Sequence, residues 1–249
     1  MQGFIYEGGI RILYGAGQLP AVVKELAKLG KRLLAVSTGS FIANGHYEGF
    51  ARSLTAAGLQ VFSMNAGRQP LLSKVREGVR LCAEKQIDVV LGIGGGVSMD
   101  LAKAIAFGAR NMDVPMESFL TYEVSTDGRP MLPVVTIPTN PMSGSETNAD
   151  VQITLDESGL QAGCSVGKAV FTWLNPEYVM SLPDRVLAYG QMTSFVQLSL
   201  NYLNLTRSPL AEHYAEASMK TVLECLRRSL ADKSDVDAQG TLLLNSALA

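Results

Sequence analysis

Histidine is nearly missing from this chain. Only His46 and His213 occur in 249 residues, and one chain cannot build a three-histidine metal site from two imidazoles. Cysteine is scarce as well. Cys82, Cys164 and Cys225 are scattered, odd in number and form no CxxC pair, which argues against a disulfide framework or a cysteine zinc site and suits a reducing compartment. Charge of neither sign accumulates: 21 Lys and Arg stand against 23 Asp and Glu, a net charge of −2. Without a basic block there is no electrostatic footprint for nucleic acid. The N-terminus has no basic segment leading into an apolar stretch, so no signal peptide is visible. The most apolar region, Ile87 to Ala109, is interrupted by Asp88, Asp100 and Lys103 and is not a membrane span. These absences lead to the expectation of a soluble, cytoplasmic protein.

The chain does have a core. Hydrophobic residues make up 47% of it, an ordinary globular fraction, and the length suits one or two domains. Phe4-Ile5-Tyr6 and Ile10 to Tyr14 flank Gly8-Gly9 and read as a hairpin. Its edge is a candidate surface for a homodimer. Short apolar runs then alternate with helical periodicity. Strands are expected at Arg32–Val36, Leu59–Phe62, Asp88–Ile93, Leu132–Thr136, Val151–Thr154 and Ala169–Trp173. Helices are expected at Gln18–Leu29, Tyr47–Ala57, Leu72–Lys85 and Ser98–Ala109. This alternation indicates βαβ units on a parallel sheet, a Rossmann-like α/β domain. After Pro183 only helical patterns follow, at Arg185–Leu205, Leu210–Leu230 and Asp237–Leu248. The expected organisation is an α/β domain over 1–181 and an all-α domain over 182–249.

The strongest chemical signal is Gly94-Gly95-Gly96 between an apolar strand and an amphipathic helix. A helix N-terminus presents unpaired amides and partial positive charge, and glycine lets a phosphate approach them. The spacing is not GxGxxG, so this is not the usual dinucleotide fingerprint. A second loop, Pro138 to Asn148, sets hydroxyls and amides among two prolines and a glycine, a lining suited to a nucleotide or to solvent. Trp173, the one tryptophan, reads as core. Met142 and Met192 are candidates to narrow the neighbouring pocket.

Three segments in order resemble the iron-containing alcohol dehydrogenases, relatives of dehydroquinate synthase, and are most similar to their butanol-dehydrogenase-like branch. Gly94-Gly95-Gly96-Val97-Ser98-Met99-Asp100-Leu101-Ala102-Lys103 is similar to the family's GGGSxxDxxK. Pro138-Thr139-Asn140-Pro141-Met142-Ser143-Gly144-Ser145-Glu146 is similar to PTTxGTGSE. Asn175 to Arg185 is similar to DPxLTxSLPxR. The resemblance implies NADP or NAD in a cleft between the two domains. It implies Gly94, Gly95, Gly96 and Ser98 at the pyrophosphate, Asp100 near the nicotinamide, Thr139 and Ser143 along the cleft, and Tyr178 near the adenine. Ser37-Thr38-Gly39 stands where NAD-preferring members carry an aspartate, which leans towards NADP.

The resemblance also implies a divalent metal held by one Asp and three His, the first two ligands four residues apart on the helix after SLPxR. Here those positions are Thr193 and Gln197, neither a good transition-metal ligand. The remaining two histidines are expected beyond residue 249, so no metal is expected on this chain. The ending, Thr241 to Ala249, stops inside an apolar helical pattern. Either the chain is a fragment or a partner protein covers that face. Three functions follow: a family member with a dinucleotide cleft but impaired catalysis, a scaffold or regulatory partner of a full-length protein, or a metal-independent NAD(P)H oxidoreductase.

Overall fold

The computed structural model describes residues 9–204 and 208–248. Six parallel strands form the main sheet: β1 (Arg11–Tyr14), β2 (Arg32–Ser37), β3 (Gln60–Asn65), β4 (Val89–Gly94), β5 (Val134–Pro138) and β8 (Phe171–Leu174), in the order β1-β8-β5-β4-β2-β3. Strands β6 (Asp150–Thr154) and β7 (Gln161–Ser165) form a separate antiparallel hairpin. The helices between strands are α1 (Leu19–Leu29), α2 (Gly39–Ala43), α3 (His46–Ala56), α4 (Leu72–Lys85), α5 (Gly96–Gly108) and α6 (Met116–Leu120). Helices α7 (Asp184–Leu203), α8 (Pro209–Ala231) and α9 (Val236–Leu248) follow.

Alternation along β2 explains the layering. Leu34 and Val36 pack with α4 and α5 on one face, while Leu33 and Ala35 pack with α1 and α3 on the other. Successive strand residues point to opposite faces, so an apolar run buries both and helices must cover each side. Trp173 is buried among Phe50 and Tyr178, and its indole N–H donates to the Gly15 carbonyl at 3.0 Å.

Several expectations need correction. Val151–Thr154 is a strand, but it belongs to the separate hairpin, not to the parallel sheet. Its partner β7, which carries Cys164, is not among the expected strands. The sequence Gln161-Ala162-Gly163-Cys164-Ser165 has no β-branched residue to announce a strand. Ile10–Tyr14 contributes β1, which pairs in parallel with β8 at the sheet edge. The other arm expected for the N-terminal hairpin lies outside the described residues. Within the apolar C-terminal pattern, Leu242 packs with Leu187 and Leu226, and Leu243 with Leu174 and Val179. Helix α9 folds back between α8 and the sheet, so those leucines need no second chain.

Candidate functional site

The site lies where the chain direction reverses across the sheet. From β2 it runs outward to β3, and from β4 outward to β5. Ser37 ends β2 beside Ile93 of β4. Open α/β sheets bind ligands at such a switch point, outside the carboxyl ends of the strands.

The glycine turn sits at this point. Gly94 has φ of +144°, and a Cβ there would lie 2.7 Å from Ser98 Oγ, so backbone and space both select glycine. Gly95 is different. Its backbone is extended (φ −86°) and an added Cβ would meet nothing nearer than Asn140 Cβ at 3.9 Å. The space above it is open. Over Gly96 stands Ser143, whose Cβ would be 3.2 Å from a new Cβ. The first turn of α5 therefore faces a gap bounded by Asn140 and Ser143.

Buried polar atoms without a partner gather here. Ser37 Oγ, Ser98 Oγ and Asn140 Oδ1 make no hydrogen bond among the described residues. Buried polar groups are nearly always paired, so these orphans are a reason to expect a polar ligand. Thr139 is held by its own amide, which donates to Gly94 O at 2.9 Å.

The loop after β5 is braced from below by a residue to which sequence reasoning gave no role. Lys103 is fully buried. Its ammonium donates to Asn148 Oδ1 at 2.9 Å, Ser145 O at 3.0 Å and Asp150 O at 2.5 Å. Asp100 stands 3.6 Å from that ammonium and accepts from Ser145 Oγ at 2.5 Å and from the Gln152 amide at 3.1 Å. Asp100, expected near the nicotinamide, thus spends both oxygens on the loop and the β6–β7 hairpin while also lining the cleft. Burial pushes the Lys103 pKa down and the Asp100 pKa up, and their mutual attraction opposes both shifts. Glu146 is buried beside them with both carboxylate oxygens unpaired, and burial raises it to about 7. A signal for Lys103 existed: a lysine within an otherwise apolar helix must find acceptors.

Tyr178, expected near the adenine, is packed into the core. Its ring lies 5.0 Å from those of Phe41 and His46 and 5.3 Å from Trp173, and burial raises its hydroxyl to about 12. His46 begins α3 half-buried against this cluster. His213 is exposed on α8, with Nδ1 2.7 Å from Pro209 O. The two imidazoles are on different elements.

The cleft beyond the glycine turn has a volume of about 1130 Å³ and runs from Gly96 and Asp100 to Thr193 and Gln197 on α7. Thr193 Oγ1 donates to Tyr189 O at 2.8 Å, and Gln197 presents a neutral amide. No group of three His, Cys, Asp or Glu that could hold a metal ion occurs among the described residues. The donor set at these positions does not fit a divalent transition metal. Met142 lines the cleft, but Met192 is turned outward and does not narrow it.

Fold and site together define an α/β protein with a parallel sheet, a glycine turn opening a helix at the switch point, and a helical C-terminal region. Residues 10–173 match the family profile "Iron-containing alcohol dehydrogenase", and the chain belongs to that family. It is 30% identical over its whole length to the probable NADH-dependent butanol dehydrogenase 2 of Bacillus subtilis, and 25% identical to NADH-dependent butanol dehydrogenase A of Clostridium acetobutylicum. It spans 64% of the length of each. The crystal structure of NADH-dependent butanol dehydrogenase A from Thermotoga maritima superposes with a TM-score of 0.90 at 24% identity, covering 99% of this chain and 63% of that one. Among the described residues no helix is long and apolar enough to cross a membrane.

Proposed function

We propose that this chain binds a nicotinamide dinucleotide, NADP or NAD, in the cleft at the α5 N-terminus, and that its catalysis of alcohol oxidation or aldehyde reduction is impaired. The observation that carries the first half is the open space above Gly95 (nearest atom 3.9 Å from an added Cβ) at the start of a helix, with the unpartnered Ser98 Oγ beside Gly94. The first-turn amides of α5 would take the pyrophosphate. Ser143 would close over it from the loop, with Thr139 behind and Ser37 on the adenosine side. A bound nicotinamide supplies hydride transfer. The residues of this chain supply binding and orientation, since neither Thr193 nor Gln197 is suited to a Lewis-acid metal. The absence of a carboxylate at Ser37-Thr38-Gly39 supports NADP, while the NADH named for the relatives supports NAD.

Fluorescence titration with NADH and NADPH tests the reading. Saturable binding of either is expected, with little aldehyde-dependent oxidation. No binding at millimolar concentration overturns the cleft, and brisk turnover overturns the impairment.

A further inference from the structure

From Val186 to Thr206 the sequence carries no charged residue. Helix α7 occupies most of that stretch. One side of it, with Leu187, Ser194 and Leu198, is buried against the rest of the molecule. The opposite side is apolar too. Tyr189, Met192, Val196, Leu200 and Leu203 stand at intervals of three and four residues and are 42–69% exposed. At 100° per residue these five fall in a single stripe along the outer surface. Between the two apolar sides Thr193 and Gln197 face the cleft, and an apolar stripe on a helix normally packs against a partner surface.

The stripe is also symmetric. Met192 and Leu200 lie four residues on either side of Val196, and Tyr189 and Leu203 lie seven residues on either side. A two-fold contact requires a self-complementary surface. Two antiparallel copies of α7 crossing at Val196 would pair Tyr189 with Leu203, Met192 with Leu200, and Val196 with its twin. One charge stands at the end of the stripe: the Arg185 guanidinium lies 5.2 Å from the Tyr189 ring and its Nε donates to the Tyr189 hydroxyl at 3.1 Å. The five side chains present roughly 500 Å² of apolar surface, the size of the largest patch on an ordinary monomer and often a functional one. Pairing would bury on the order of 1,000 Å² in total, the low end for a specific dimer.

We propose that this chain forms a two-fold dimer through the outer face of α7, with Val196 on the axis. Sedimentation velocity on the 249-residue chain, from micromolar to several hundred micromolar, is the first test. A concentration-dependent dimer is expected, and Val196→Glu is expected to raise its dissociation constant at least about a hundredfold by placing two carboxylates together in an apolar contact. Circular dichroism should find the Val196→Glu fold unchanged, because that side chain is exposed. Cross-linking then fixes the geometry. Under mild oxidation Val196→Cys should give a covalent dimer. Leu203→Cys should not, because its twin lies about 21 Å away along the helix, although it should link to a Tyr189→Cys chain. A monomer at every concentration, a dimer indifferent to Val196→Glu, or self-linking by Leu203→Cys in place of Val196→Cys overturns the proposal.

Discussion

Lys103 Nζ lies 2.9 Å from Asn148 Oδ1 and has no exposed surface of its own. This contact ties helix α5 to the loop that roofs the glycine turn. Two further bonds, to the carbonyls of Ser145 and Asp150, make the lysine a three-point brace. Removing it leaves three acceptors and the Asp100 carboxylate without their cation. Lys103→Met should therefore cost roughly 3 kcal/mol or more, as breaking a buried ion pair does. Urea denaturation measures this. A loss below about 1 kcal/mol would mean that water replaces the ammonium and the brace is incidental.

Glu146 should give the protein an unusual pH response. Its carboxyl is raised from 4.5 to about 7 by burial, so the folded state favours the protonated form. The stabilisation from this group is complete below its unfolded pKa, near 4.5, and is lost as pH rises through about 7. The difference amounts to about 3 kcal/mol. Glu146→Gln keeps the shape without the charge. Its stability should exceed the parent's at pH 8 and match it near pH 4.5. Parallel curves for parent and variant between these values would show that Glu146 does not titrate in this range.

Gly95→Val separates the cradle from the fold. The backbone at Gly95 is extended, which suits a β-branched residue, and the added Cβ meets open space. The melting temperature should hardly move. NADH and NADPH should nonetheless bind at least about tenfold more weakly, because the side chain fills the position proposed for the pyrophosphate. Undiminished binding would place the dinucleotide elsewhere.

The parts legible in the sequence were those with strong local periodicity. Leu72–Lys85 was expected as a helix over those residues and is α4. The buried strands around Gly94 were equally clear, since apolar runs between turn residues leave few alternatives. The hairpin β6–β7 was half seen, because β7 is built from small and polar residues whose pairing is decided by the partner strand. At the site, the glycine turn was readable because three glycines answer a local need for space. The brace of Lys103, Asp100 and Asn148 joins positions 45 apart in sequence, and such pairing is set by tertiary packing. The resemblance puts Tyr178 near the adenine; the packing of its ring against Phe41, His46 and Trp173 joins distant positions and is set by tertiary structure.

The neutral wall of the cleft leads to a prediction about metals. Thr193 and Gln197 are four residues apart on α7, so their side chains project from the same face of the helix. Both are exposed and line the cleft, and replacing them should alter stability by no more than about 0.5 kcal/mol. Added Zn(II) should leave the melting temperature of the parent chain unchanged, and a chelator should have no effect. The double variant Thr193→Asp, Gln197→His supplies a carboxylate and an imidazole at one helical turn. It should bind Zn(II) at least about tenfold more tightly than the parent, measured by calorimetry, because anionic and imidazole ligands replace a hydroxyl and an amide. Two ligands leave a tetrahedral ion half filled, so the variant should remain a poor catalyst even in the presence of zinc. Stoichiometric metal in the parent, removed by a chelator with a fall in melting temperature, would show that this chain holds an ion with groups other than those two positions.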